Sequence, residues 1–499
     1  MSQAADLRDR DTERAAGMDT AAVTVPLIIR GRVIDECDAE FGGRRGAVKF
    51  RTPSVRRYVE ELCLRVPSAM ADLYALSFDD IVEYFAQLGR RLRLDDNPHL
   101  QQSFRLSSQV SGLGPEMIHH QYDTFQRLCA PEKLREMTDL AIGVPYLEGW
   151  VSKELLNGCK VSVRAFGARA VHIMAGNVPA VSMMTIVRNA VTRSDAILKT
   201  PSNDPLTAAA IVRTMIDMAP YHPLTKHVSV AYWKGGDLDV EQAIYTPSSV
   251  EKIVAWGGVA SITHIARYIQ PGIDLITLDP KLSSSIIGRE AFADETTMRE
   301  VAARLAEDVA YYNQEACVNS RVSYIQTGTD EAGLELAKRF GGLVFEAIQS
   351  MPITASSAAK SLNPELAEEL QAIKMFEEHE IIGCGREGGV VVSLNSEPVD
   401  FAALLQNRIA NLVPFDSIDV PVRSVNAYTQ TIGVYPDSLK AQIRDRCVFH
   451  GAQRLVTLGY AGRAAQAGPH DGIEPLRRMC KWITDETYDP ARTPRPSRQ

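Results

Sequence analysis

The chain has 499 residues, 45% hydrophobic and 23% charged, an ordinary globular composition too long for one core, so two or three domains are expected. Its net charge is −8, with 54 basic and 62 acidic side chains spread along the sequence, and no basic block supports nucleic-acid binding. No apolar run approaches the roughly 20 residues that span a bilayer, and eight scattered cysteines without a CxxC pair or histidines at zinc spacing point to a reducing, cytoplasmic setting without a structural metal.

Residues 1–22 carry charges of both signs and no apolar stretch, and read as a disordered tail rather than a signal peptide. From 23 to 150, short apolar runs give way to a mostly helical pattern. Ile81, Tyr84, Phe85 and Leu88 recur at three- and four-residue spacing behind Asp79-Asp80, which suit a helix start. This region carries no motif with chemistry attached and is expected to pack around, or dimerise, the α/β units that come after it in the chain.

Between 151 and 290 the pattern changes. Val171 to Ala175 ends in Gly176-Asn-Val-Pro, and a helix is predicted from Pro179 to about Val191. Ala196 to Lys199, His227 to Trp233, Lys252 to Trp256 and Ile273 to Leu278 are further strands, separated by helices from Leu206, Val240 and Ser261. Such alternation predicts an α/β fold whose parallel sheet binds ligands at the carboxyl ends of its strands.

The strand-to-helix junctions hold the candidates. Asn177 and Asp204 suit helix capping, which is a sufficient role for either. Lys199, at a strand's carboxyl end, points into the ligand crevice, where it can pair with a phosphate or hold ribose hydroxyls. Gly257-Gly258 is either a plain tight turn or a place where backbone approaches a pyrophosphate. No GxGxxG occurs here, so a dinucleotide must be held another way.

From 291 to 440 a second α/β series begins. Cys317 lies between a helical run (Met298 to Tyr312) and a β-branched strand (Val322 to Gln326), flanked by small or polar residues. That setting suits a nucleophile at a junction opening onto a cleft, although most cysteines are small buried hydrophobes and this stretch alone leaves both open. A helix over Asp330–Phe340, a glycine-entered strand from Gly388, a helix over Phe401–Ala410 and a strand over Tyr428–Val434 are predicted next. Residues 441–499 are expected to pack back on the first α/β unit or to form an oligomerisation arm, with a frayed end.

An Asn after a strand, Lys-x-Pro, a Gly-Gly turn, a reactive Cys and Glu-Ile-x-Gly, in this order, resemble the aldehyde dehydrogenase superfamily. Within it, the chain is similar to the LuxC-type acyl-CoA and acyl-protein thioester reductases, over about residues 160–485. The wording that carries this is His172-Ile-Met-Ala-Gly-Asn-Val-Pro, Lys199-Thr-Pro-Ser-Asn-Asp-Pro, Ala255-Trp-Gly-Gly, Pro280-Lys-Leu-Ser, Gln314-Glu-Ala-Cys-Val-Asn-Ser and Gly468-Pro-His-Asp-Gly.

The resemblance implies an aldehyde dehydrogenase-like fold: two α/β domains with parallel sheets plus a helical N-terminal region, 151–290 binding the dinucleotide and 291–440 carrying the nucleophile. It implies that Cys317 forms a thioacyl-enzyme, that Asn177 joins the cysteine's N–H in an oxyanion hole, and that Lys199 contacts the adenosine ribose. Gly257 and Gly258 then line the pyrophosphate, and Glu380 orients the nicotinamide ribose. Ser202 stands where NAD-preferring members carry glutamate, which favours NADPH. Thr277 stands where aldehyde oxidisers place a water-activating glutamate, with Asp279 brought near by a small slip of alignment. The implied activity is NADPH-dependent reduction of an acyl-CoA or acyl-protein thioester to the aldehyde, in a homo-oligomer (dimer or tetramer), with an acyl-protein synthetase as a possible partner. A thiol pKa lowered by the junction is expected to help, and His450 and His470 are candidate proton donors, though both also suit plain surface or core roles. The rivals are an aldehyde-oxidising dehydrogenase, a silent scaffold and a cysteine thioesterase.

Overall fold

A computed structural model describes residues 23–42, 49–278, 281–463 and 467–492. The expected tail 1–22, the expected frayed end at 493–499 and Asp279 lie outside the described residues.

The first seven-stranded sheet runs, edge to edge, Asp274–Leu278, Lys252–Trp256, Arg169–Ile173, Asp195–Lys199, Val228–Ala231, Leu27–Ile29 and Arg32–Ile34. The first five strands are parallel, and the last two form an antiparallel hairpin from the N-terminal region. Arg169–Ile173 is buried throughout, as a parallel strand covered on both faces must be. The chain steps from it to one side through Asp195–Lys199 and Val228–Ala231, then crosses to the other side at Lys252–Trp256. That reversal opens a crevice at the carboxyl ends of the strands.

Helices at 78–141 cover one face of this sheet. Phe78–Arg91 starts at a capping box in which Ser77 and Asp80 satisfy each other's backbone N–H groups. Phe85, Leu88, Met117 and Tyr122 share one buried apolar cluster with Met183, Ile186, Ile211 and Met215 of the crossover helices. Residues 23–150 thus supply two strands and a helical layer to this sheet.

The second seven-stranded sheet has the order His379–Gly385, Gly388–Ser393, Ile409–Pro414, Ser320–Ile325, Leu282–Ile287, Thr429–Tyr435 and Arg454–Thr457, parallel apart from its first pair. Glu295–Ala310 and Glu331–Gln349 cover one face, and Asp437–His450 the other. The helix expected at 401–410 is absent. Only the short turn Ala402–Leu404 forms, Asn407 and Arg408 adopt left-handed φ values of 60° and 65°, and Ile409–Pro414 is a fully buried central strand. Apolar on both faces, that strand lacks the alternation that would separate it from a buried helix in sequence.

Strand Asp274–Leu278 ends three residues before Leu282–Ile287 begins, so the carboxyl ends of the first sheet face the amino ends of the second. A third, antiparallel sheet joins the C-terminal strand Lys481–Thr487 to Lys160–Phe166 and Val151–Glu154. Among the described residues no helix is long and apolar enough to cross a membrane.

Candidate active site

Cys317 sits in the loop between Glu295–Ala310 and Ser320–Ile325, at the amino end of the second sheet. The helix is stopped by three consecutive left-handed residues, Tyr312, Asn313 and Gln314, with φ of 48°, 52° and 65°. Such conformations cost free energy in non-glycine residues and persist only where surroundings over-determine them. Here they do. Buried Gln314 donates to the carbonyls of Ser320 (3.0 Å) and Ile409 (2.9 Å) and accepts from the Ile409 N–H (3.0 Å), so its amide is sewn into the strand ladder. Asn319 accepts from the Ala316 N–H at 2.9 Å, and the Ser283 hydroxyl donates to the Cys317 carbonyl at 2.8 Å. The Cys317 backbone is fixed on both sides.

The opposite wall comes from the first sheet. Asn177 does not cap the helix Ala180–Val191, whose N-cap is Pro179. Its side-chain amide instead donates to the Glu315 carbonyl at 3.1 Å, two residues from Cys317. The Asn177 loop is tied to the Lys199 turn by Asn203, which donates to the Gly176 carbonyl at 2.9 Å. A Cβ on Gly176 would lie 2.1 Å from the Asn203 Oδ1, so only glycine permits this approach. Asp204 does act near a helix start, accepting from both the N–H and hydroxyl of Thr207.

Lys199 lies in the crevice with its Nζ 5.3 Å from the Trp233 ring and 6.0 Å from the Tyr232 ring. Burial pushes its pKa down to about 8, with Glu241 opposing, and among the described residues its ammonium makes no hydrogen bond or ion pair. Ser202 is half-buried in the same turn. Gly257 and Gly258 lead into the helix Val259–Ala266, whose exposed first turn has no side-chain cap. Thr277 is half-buried, paired with Ala255 near the strand end.

A third wall is closed by the loop after residue 467. Gln430 is buried and its amide nitrogen donates to Asp471. The His470 ring stands 5.4 Å from Trp256, nearly perpendicular, and Arg188 lies over the same tryptophan at 5.7 Å. Burial, then the charges of Arg188 and Arg454, push His470 down to about 4, so it is neutral. His450 ends an outer helix and is exposed, away from this cluster. The lowered thiol pKa expected at Cys317 is not found: burial raises it, the Asp471 carboxylate raises it further, and the hydrogen bond from Gln430 opposes both.

The profile of the LuxC family, described as acyl-CoA reductase, matches residues 73–482. This chain belongs to the LuxC family. Its relatives include long-chain acyl-protein thioester reductases of Aliivibrio fischeri, 27% identical over 83% of this chain and 84% of that protein, and of Vibrio harveyi, 25% identical over 93% of each. The fold matches aldehyde dehydrogenases. Lactaldehyde dehydrogenase from Escherichia coli superposes with a TM-score of 0.71 at 13% identity, covering 94% of this chain and all of that one. An NADP-dependent glyceraldehyde-3-phosphate dehydrogenase from Bacillus halodurans, solved with NADP, gives 0.70 at 10% identity, covering 93% and 99%.

In this LuxC-family chain the crevice residues fit a dinucleotide: a half-buried Lys199 ammonium with no ion pair among the described residues and an uncapped helix start after Gly258 both suit phosphate or ribose oxygens. Among the described residues, no cluster of His, Cys, Asp or Glu could hold a metal. Glu380 does not join the group. It is exposed on the edge strand His379–Gly385, three strands from Ser320–Ile325, and its charge bears on Lys338 of an outer helix. Sequence reasoning missed Gln430, Asp471, Arg188 and Ser283. Only Asp471-Gly472, a turn dipeptide inside the Gly468-Pro-His-Asp-Gly motif, carried a usable signal.

Proposed function

We propose that this chain reduces long-chain fatty acyl thioesters, carried on CoA or on a protein, to aldehydes with NADPH through a thioacyl intermediate on Cys317. The carrying observation is the Asn177 amide held 3.1 Å from the Glu315 carbonyl, beside the nucleophile. One of its N–H groups is used there, and the other, with the Cys317 N–H, stabilises the oxyanion formed when the thiol adds to the thioester carbonyl. Ser283 and Gln314 keep the loop from shifting as charge develops. Lys199, Ser202, Gly257 and Gly258 hold the cofactor, and a neutral Ser202 leaves room for a 2′-phosphate. When bound, NADPH supplies the hydride that takes the thioacyl carbon to the aldehyde level. Thr277, having no carboxylate, cannot activate water from that strand, which favours a long-lived acyl-enzyme over hydrolysis.

The names of the relatives favour a protein-bound acyl donor, and the family description favours CoA. An acyl-protein synthetase is the partner that fits the first. The third sheet, with open edges at Val151–Glu154 and Lys481–Thr487, is the surface on which we place homo-oligomer contacts.

Intact-mass measurement after mixing with long-chain acyl-CoA, without NADPH, tests the reading. An acyl adduct is expected, absent in Cys317→Ser, and NADPH should then release aldehyde. Rapid carboxylate formation from free aldehyde without a thiol acceptor would instead make the chain an oxidiser.

A further inference from the structure

We propose that the cleft lined by Arg188 binds the phosphate of a phosphopantetheine arm, so that the acyl donor is recognised through the group that carries its sulfur. The inference deepens the thioester-reductase reading and rests on it.

Arg188 lies on Ala180–Val191, a crossover helix buried along almost its whole length, and is 5% exposed. Among the described residues its guanidinium makes no hydrogen bond or ion pair, and its Nε is closed off from water without a partner. The polar groups around it are engaged elsewhere. Asn189 hydrogen-bonds His172 and the Ser194 carbonyl, Asp471 accepts from Gln430, and exposed Glu474 lies 3.9 Å from Arg477. The Trp256 ring stands 5.7 Å from the guanidinium carbon. A cation–π contact recovers only part of what a cation loses on leaving water, and buried charges are otherwise paired. Burial pulls the Arg188 pKa down to about 10, with the Asp471 charge opposing, so the side chain is still a cation at neutral pH.

The guanidinium lines a cleft of about 70 Å³ between the end of the helix Pro131–Ala141 and the loop that leads to Asp471. Leu140, Ala141, Ala467, Pro469 and Leu476 give it apolar walls, and Glu474 is the one carboxylate lining it. That space holds several waters or one phosphate, to which a planar guanidinium can offer two parallel N–H donors. The cleft adjoins the reacting loop. Its wall Gly468-Pro469 runs on to Asp471, held by Gln430, and the next residue, Thr431, donates its N–H to the Ser283 hydroxyl at 3.2 Å. That hydroxyl in turn donates to the Cys317 carbonyl at 2.8 Å. A fatty acyl group has no charge left once its carboxyl is a thioester, so an anion that arrives with it belongs to the thiol side. A pantetheine arm is uncharged along its length and ends in a phosphate, which matches apolar walls around one cation.

The test presents one long-chain acyl group on pantetheine, phosphopantetheine, CoA and a phosphopantetheine-bearing carrier protein. Acylation of Cys317 is followed by intact mass without NADPH. The unaltered chain is expected to reach half-saturation with phosphopantetheine at a concentration roughly 10- to 100-fold lower than with pantetheine, the range for hydrogen bonds to a charged group. Arg188→Gln is expected to lose that preference and Arg188→Lys to recover part of it. A matching loss with acyl-CoA names CoA as the source of the phosphate, and one with the carrier protein names the protein; either supports the site. A preference retained in folded Arg188→Gln overturns it. Equal losses with pantetheine and phosphopantetheine assign Arg188 to the packing of Trp256, and a parallel fall in NADPH affinity assigns it to the cofactor; both overturn the site. If Arg188→Gln loses its cooperative melt, inorganic phosphate added to the unaltered chain carries the test. It is expected to raise the half-saturating concentration of acyl-phosphopantetheine and not that of acyl-pantetheine, and equal effects overturn the site. Adducts from every donor without a phosphate preference remove the site and leave the reductase reading standing, whereas no adduct from any donor defeats that reading and the site with it.

Discussion

Asn177→Ala is the most informative single change. The substitution removes one hydrogen bond to the Glu315 carbonyl, at 3.1 Å, and with it the second N–H that the proposed mechanism assigns to the oxyanion. The first is a partly buried neutral bond, worth about 1 kcal/mol of loop stability. The second acts only where negative charge develops, and such donors contribute about 3 kcal/mol to the transition state, a rate factor on the order of 10² to 10³. Because the two differ so much in size, the expected result is a slow enzyme, not an unfolded one. Acyl-enzyme formation followed by rapid quench and intact mass should fall by that factor, while cofactor binding by fluorescence titration and the melting temperature stay near their original values. A drop in acylation of less than about fivefold, the equivalent of the 1 kcal/mol of loop stability alone, would refute the oxyanion role, as would a cofactor affinity that falls in step with the rate.

Three other outcomes are expected from the geometry. Glu380→Gln should leave turnover and cofactor affinity unchanged, because that carboxylate is exposed on an edge strand near Lys338, and steady-state kinetics decide it. Gly176→Ala should impair both acylation and cofactor binding, since the new Cβ would meet Asn203 at 2.1 Å and Pro201 at 2.7 Å and separate two loops that are tied together. His172 is buried with its pKa pushed down to about 4 by burial, against about 6.5 in an unfolded chain, so the unfolded state binds the extra proton and stability falls as pH drops from about 6.5 to 4. His172→Gln should therefore lose about 2 kcal/mol less than the unaltered chain between pH 7 and pH 5, measured by urea unfolding.

The parallel sheets announced themselves through short β-branched runs at regular spacing, and Cys317 drew notice as a candidate because it is set among small polar residues. Asn177, Lys199 and the Gly257-Gly258 turn sit at strand ends, where chain order alone places them on one edge. What stayed hidden was whatever depends on pairing across long separations. Gln430 looks like any polar residue in a strand until Thr429–Tyr435 is laid beside Leu282–Ile287. Ile409–Pro414 reads as helix or strand equally well, and left-handed Asn407 and Arg408 decide it. Glu380 shows the opposite failure: a short motif matched, but the hairpin that carries it lies at the outer edge of the sheet. The direction of the Cys317 shift was also beyond reach, because burial and a carboxylate from 154 positions further along set it.

The strand Lys481–Thr487 has a consequence for how the cleft holds together. It pairs with Lys160–Phe166, and Arg478 clasps Asp274 just before it, so the wall bearing His470 and Asp471 is pinned at two places to residues far upstream. Prising that strand from its partner should therefore unseat a side of the cleft whose own residues are left unaltered.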